Sequence, residues 1–251
     1  SWTRWILKST WINCCLLALL ADVATFPANA AERVPVGVFS QAATGQALPL
    51  DWQPLTFKRV ERHTDYSLVQ DGSAVVVKAV SAQSASGLIR KISIDPEQYP
   101  TLQWSWKVNN TLQGGDVSRK DGDDYPARIY ITFAFDADSA GYFEKLKYQA
   151  AQLLFGAELP YRAISYIWGS NSAADTMVAN PYTDNVMMFV LQSGDAQLQQ
   201  WVAESRNVYE DYKMAFGEPP PMINAVAIMT DTDNTGESAV AWYGDIEFRG
   251  E

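Results

Sequence analysis

The chain has 251 residues, 47% hydrophobic, 19% charged and 12% aromatic, which excludes collagen, coiled coil and wholesale disorder. Its 19 Lys and Arg stand against 29 Asp and Glu, a net charge of -10, so the clustered cations that nucleic-acid phosphates demand are missing. A single histidine, His63, removes most imidazole and zinc chemistry.

Residues 1–30 read as a secretory leader. Arg4 and Lys8 form its basic region, Trp11 to Ala21 its apolar run, and Ala28-Asn29-Ala30 a small-residue cleavage site. The apolar run ends at Asp22, well short of the ~20 residues that span a bilayer. No membrane span is therefore expected after leader removal. The chain opens on Ser1 rather than Met, so a start upstream is expected. Cys14 and Cys15 both fall inside the leader, which leaves residues 31–251 without a disulfide in an oxidising periplasmic or secreted destination. Those residues are expected to form one monomeric domain stabilised by core size alone.

Beyond the leader, period two dominates. Predicted strands run over Val34–Phe39, Asp51–Phe57, Ala74–Val80, Ser86–Ile92, Leu102–Val108 and Ala127–Phe135. They continue at Ala163–Trp168, Val186–Gln192, Leu198–Ser205, Ala225–Thr230 and Ala239–Phe248, with Gly244 marking a bulge or a close approach. Two segments have helical spacing instead. Tyr142–Phe155 places Phe143, Leu146, Ala150, Leu153 and Leu154 on one face, and Asn207–Phe216 starts with Asn207 and Glu210 and stops at Gly217. Strands do not alternate regularly with helices, so the pattern predicts an all-β sandwich with minor helices rather than a parallel doubly wound sheet. Leu102, Trp104, Trp106 and Val108 share one face. Their apolar flanks favour core over a sugar-stacking platform.

The candidate chemistry sits on loops and on one arginine. Ala127–Phe135 sends Ile129, Ile131, Phe133 and Phe135 to one face and Arg128, Tyr130 and Thr132 to the other, which is either an open ligand face or a solvated one. The long loop Asn109–Pro126 carries Asp121, Asp123 and Asp124 into Arg128. These carboxylates could ligate calcium, or form an ordinary Asp/Gly turn, or pair Asp123 or Asp124 with a buried Arg128. A second acidic loop holds Asp231, Asp233 and Gly236 but has Trp242 where a helix–loop–helix calcium site needs a bidentate Glu, so that motif is rejected. Calcium in another geometry at Asp121, Asp123, Asp231 and Asp233 stays open beside the turn reading.

Tyr166 with Trp168, and Arg206 with Asp211, complete a ligand set with Arg128 and Tyr130. Guanidinium and carboxylate groups suit sugar hydroxyl pairs, and rings suit the C–H faces of sugars. Arg206 with Asp211 equally suits an internal ion pair. His63 reads as a surface residue. No nucleophile elbow, metalloprotease helix, P-loop or dinucleotide fingerprint is present.

Segments Leu102-Gln-Trp-Ser-Trp-Lys-Val108, Asp123-Asp-Tyr-Pro-Ala-Arg-Ile-Tyr130, Tyr166-Ile-Trp-Gly169, Arg206-Asn-Val-Tyr-Glu-Asp211, Ala215-Phe-Gly217 and Thr230-Asp-Thr-Asp-Asn-Thr-Gly236 occur in order. Together they resemble a bacterial secreted family, domain of unknown function 3047, from about Val36 to Phe248. The resemblance implies a single jelly-roll β-sandwich, similar to galactose-binding and carbohydrate-binding modules, in an exported protein. It supplies no activity and no catalytic residue. The leading expectation is therefore a non-enzymatic binding protein for a saccharide or small polar ligand. Two other expectations stand beside it: a glycan hydrolase or lyase using Arg128 and Tyr130 with loop carboxylates, and an envelope protein-interaction module.

Overall fold

The computed structural model describes residues 32–250, except 47, 136–137, 139, 143–144 and 146–160. The leader expected at 1–30 and most of the helix expected over Tyr142–Phe155 lie outside the described residues. Among the described residues, the strands in chain order are β1 (Arg33–Gly37), β2 (Gln53–Leu55), β3 (Asp65–Asp71), β4 (Ala74–Ala82), β5 (Ala85–Ile94), β6 (Thr101–Val108) and β7 (Ala127–Phe133). They continue with β8 (Arg162–Gly169), β9 (Met177–Asn180), β10 (Thr183–Ser193), β11 (Val202–Asn207), β12 (Ile223–Asp231) and β13 (Ser238–Arg249). One helix, α1 (Val208–Phe216), follows β11 directly.

The strands make the two sheets of a β-sandwich. Sheet A runs β11-β6-β13-β4-β3, with β1 on the far half of β13; sheet B runs β2-β5-β12-β7-β8-β10-β9. Among the described pairings, β8 with β10 is parallel and the others are antiparallel. Alternation decides what each sheet turns inward. From β6 come Leu102, Trp104, Trp106 and Val108, and from β7 come Ala127, Ile129, Ile131 and Phe133, all buried in one cluster. Trp104 stacks on Tyr166 with ring centroids 5.3 Å apart, and Trp106 meets Trp168 edge-on at 6.0 Å, so aromatic pairs join the two sheets. Burying each such ring is worth on the order of 3 kcal/mol.

Helix α1 obeys its sequence signals. The Asn207 side chain accepts from the Glu210 backbone N–H at 2.9 Å, while the Glu210 carboxylate turns to Lys213 at 3.2 Å instead of completing the reciprocal cap. Gly217, at φ +76°, ends the helix in the left-handed region.

Three expectations need correction. Strands β3 and β9 were not predicted: β3 carries Asp at both ends, and β9 is a four-residue strand at the sheet edge. Leu198 to Gln200 form a turn, so β11 starts only at Val202. Phe135 lies beyond the end of β7.

Candidate functional site

Arg128, Tyr130 and Thr132 do point away from the inter-sheet core, as their period predicts, but Arg128 is not open to solvent. The loop before β7 folds back over this part of sheet B. Its Val117 and Tyr125 pack on Ile167, Met188 and Val190, which face outward from β8 and β10. The Arg128 side chain is left only 4% exposed, with its guanidinium bonded to Asp231, its Nη1 3.7 Å from Asp123, and its Cζ 5.0 and 5.3 Å from the rings of Tyr125 and Tyr130. Burial works against the charged guanidinium, but Asp231 foremost, together with Tyr130, Asp123 and Tyr125, outweighs it and Arg128 stays charged. The long loop is thus a cover, and the expected sugar cradle at Arg128 is corrected to a sealed ion pair. Tyr130 is half-buried, and desolvation pushes its hydroxyl up to about 12, too high for a base at neutral pH.

Of the other expected ligand residues, Tyr166, Trp168 and Asp211 are interior, and Arg206 is half-buried. Tyr166 and Trp168 are fully buried in the inter-sheet core, because their alternation on β8 turns them inward with Ile164. Arg206 makes a two-pronged contact with Asp211 at 2.9 and 2.6 Å, and the Tyr166 hydroxyl donates to the same carboxylate at 2.6 Å. This network pins α1 to both sheets, which is the internal ion-pair reading of the junction. His63 lies exposed before β3.

The acidic loops converge only in part. Asp124, Asp231 and Asp233 bring carboxylate oxygens within 4.8 Å of one another, a set of hard oxygen ligands that could hold a metal ion. Asp121 is corrected out of the set, since it turns outward to Arg119 at 2.7 Å. Asp123 is corrected out as well, because it accepts from Asn180 at 3.0 Å and faces Arg128. Asp124 takes their place. It is already engaged, accepting from the backbone N–H of Thr235 at 2.6 Å, from the Thr235 hydroxyl at 2.8 Å and from Asn234 at 3.1 Å. Burial first, and Asp124 next, raise the Asp233 carboxyl above its ordinary value.

An open site lies on the opposite sheet. The outward residues of β6 are Thr101, Gln103, Ser105 and Lys107, and the strand register arranges their neighbours in rows. In the first row, Lys78, Trp242 and Lys107 sit side by side on β4, β13 and β6. The Lys107 ammonium lies 4.6 Å from the Trp242 ring and 5.2 Å from the ring of Trp201, just before β11. In the second row, Ser105 faces Ala203 of β11, and a bulge in β13 sets Gly244 and Asp245 on its other side. The third row is Glu247, Gln103 and Ser205. Small residues in the middle row leave a trough between an aromatic wall and a polar one.

Two hollows make up this trough. One, of about 670 Å³, is lined by Trp201, Lys107, Asp71, Gln199, Ser105 and Asp245 among others. The next, of about 500 Å³, shares Ser105 and Asp245 and adds Gln103, Ala203, Ser205 and Glu247. Trp201 is 40% exposed and donates its Nε1–H to Asp71 at 2.7 Å, while Lys107 holds the same carboxylate at 2.5 Å. Those two bonds, that of Lys107 foremost, hold the Asp71 carboxyl below its ordinary value. Sequence reasoning missed this site. The available signal was Lys107 alternating out of an apolar stripe, two residues from Ser105, with Trp201 stranded among Gln199, Gln200 and Glu204. A third hollow, of about 530 Å³, is lined by Arg62, Asn110, Thr111, Glu237 and other small or polar residues and has no aromatic.

Residues 50–247 match the model of the family described as Protein of unknown function (DUF3047). The chain belongs to this family. No curated protein matches the sequence. Among solved structures, the carbohydrate recognition domain of Emp47p is similar at 10% identity and a TM-score of 0.43, over 86% of this chain and 94% of that one. Endoglucanase 3 of Trichoderma harzianum, from family GH12, is similar at 8% identity and a TM-score of 0.39, over 79% and 97%. The family 12 xyloglucanase of Bacillus licheniformis is similar at 8% identity and a TM-score of 0.36, over 87% and 98%.

The carboxylates of the trough of this DUF3047 chain have internal partners. Asp245 accepts from the Ser40 backbone N–H at 2.9 Å and from its hydroxyl at 2.5 Å. Glu247 meets Arg249 at 2.6 Å. Glu204, at the sheet edge, accepts from Gln192 at 2.9 Å and Trp106 at 3.1 Å, and burial raises its carboxyl above the ordinary value. Among the described residues, no helix is long and apolar enough to cross a membrane.

Proposed function

We propose that this protein is an exported, non-enzymatic saccharide-binding protein whose ligand lies in the trough on sheet A. The observation that carries the reading is Trp201, an exposed indole at the mouth of the larger hollow, with the carboxylate of Asp71, the amide of Gln199 and the hydroxyl of Ser105 around it. A ring face takes the C–H side of a sugar, and the neighbouring polar groups take its hydroxyls. The trough carboxylates already have internal partners, which suits positioning better than acid–base turnover. The leader at residues 1–30 supports export, and the periplasm or the cell exterior is the compartment in this reading.

A glycan array probed with the purified chain and with Trp201→Ala tests it. Selected saccharides should be retained by the wild type, and the variant should lose about tenfold in affinity, about 1.4 kcal/mol, while its melting temperature falls by only a few degrees for the lost Asp71 and Lys107 contacts. A blank array, or an unchanged Trp201→Ala profile, would overturn the assignment.

A further inference from the structure

We infer that the trough takes an uncharged glycan chain of several residues, laid along β6 from the Trp201 hollow past Ser105 to Glu247. This rests on the saccharide-binding reading and adds two properties of the ligand, its length and its charge.

Length follows from the register. Lys107 and Gln103, the outward residues at the two ends of the trough, are separated by four steps of one strand, about 13 Å at a rise of roughly 3.3 Å per residue. The hollows on either side of this span share Ser105 and Asp245 as a common boundary. A ligand of one ring fills one hollow and leaves the other in water. A chain crosses the low middle row and meets both the aromatic wall and the amide of Gln103.

Charge follows from the lining. Asp71, Asp245, Glu204 and Glu247 bring four carboxylates to the lining of the trough. Among the described residues the only cation lining either hollow is Lys107, and its ammonium is held by Asp71 and by the faces of Trp201 and Trp242. With Arg249 and Arg33 taken up by Glu247 and, among the described residues, no unpaired cation in the lining, uronate, sulfate or phosphate groups in the hollows would meet carboxylates, while neutral hydroxyls can donate to them.

The experiment is calorimetric titration with four ladders of one to six residues: β-1,4-linked gluco-, manno- and xylo-oligosaccharides, and oligogalacturonates. Affinity for at least one neutral ladder should rise tenfold or more between two and four residues. The uronates should bind at least tenfold more weakly at low salt, with the gap narrowing at high salt. Gln103→Ala should remove the gain from chain length. Affinity flat along the neutral ladder, or tighter binding of uronates, would overturn the inference while leaving saccharide binding standing. Silence on every ladder, together with a blank glycan array, would remove the underlying reading as well.

Discussion

The guanidinium of Arg128 is bonded to the carboxylate of Asp231 with both side chains sealed, at 4% and 1% exposure. The two residues come from adjacent strands, β7 and β12, and Asp231 also accepts weakly from the Tyr125 backbone N–H at 3.4 Å. The pair therefore joins the covering loop to sheet B, and its loss would leave a buried charge unmatched.

Arg128→Ala should consequently destabilise the fold by about 3–5 kcal/mol, the usual penalty for breaking a buried pair from one side. Arg128→Met combined with Asp231→Asn removes both charges and keeps most of the volume, so it should recover at least half of that loss. Equilibrium urea denaturation of the two variants measures this. A double variant as weak as the single one would show that Arg128 acts through packing rather than charge.

Asp71 gives the trough a pH dependence of definite sign. Its carboxyl is depressed by Lys107 and Trp201, so the stabilisation it provides is complete above the ordinary aspartate value, roughly 3.9, and is lost as pH falls through the lower folded value. Because the pair is partly exposed, the contribution should be small, about 0.5 kcal/mol. Trp201 reports it directly, since its indole N–H bonds the same carboxylate. Its emission should shift in this acid window and be flat there in Asp71→Asn. The background is read from Trp201→Phe.

Asp233 has the opposite sign. Burial and the neighbouring Asp124 raise its carboxyl, so the ionised form destabilises the native state at neutral pH, an effect that fades as pH drops through the folded value. Asp233→Asn should raise the melting temperature at pH 7 by about 1–2 °C and leave it unchanged at pH 3. A cation held by Asp124, Asp231 and Asp233 would reverse the result: the variant would melt lower, and chelator would lower the wild type to match. Melting curves with calcium and with chelator decide between these outcomes.

The strand pattern was legible because period two follows directly from having one buried face. Leu102, Trp104, Trp106 and Val108 are buried as that rule requires, and Asn207 and Gly217 bound α1 through local chemistry that short segments carry. The site was much less legible. The alternation on β7 correctly turned Arg128 away from the core, but it carried no trace of Val117 and Tyr125 returning from the preceding loop to cover it. The Trp201 trough depends on Ser105, Ala203 and Gly244 coming together from three strands, a register that no single segment encodes. β3 was missed for a related reason. Its outward residues, Asp65, Ser67 and Asp71 among them, look like a turn until β4 supplies the pairing.

Gly244 shows how tightly the middle row of the trough is built. Its φ is not positive, so the constraint is space and not backbone conformation. A Cβ placed there would come far inside van der Waals contact with Ser105 Oγ, whereas the Ser105 Cβ and carbonyl oxygen would lie at 3.6 and 3.5 Å, ordinary contacts. The bulge in β13 and the small residue on β6 are thus fitted to each other through one hydroxyl. Gly244→Ala alone should cost about 1–3 kcal/mol, as over-packing of a well-fitted site does. Ser105→Ala alone should be nearly neutral, and the double variant should recover most of the loss because the clashing atom is gone. A double-mutant cycle by urea denaturation measures the coupling, expected at about 1 kcal/mol or more. Additive losses would mean that the bulge excludes a side chain for reasons other than Ser105, and the floor of the trough would then not depend on that contact.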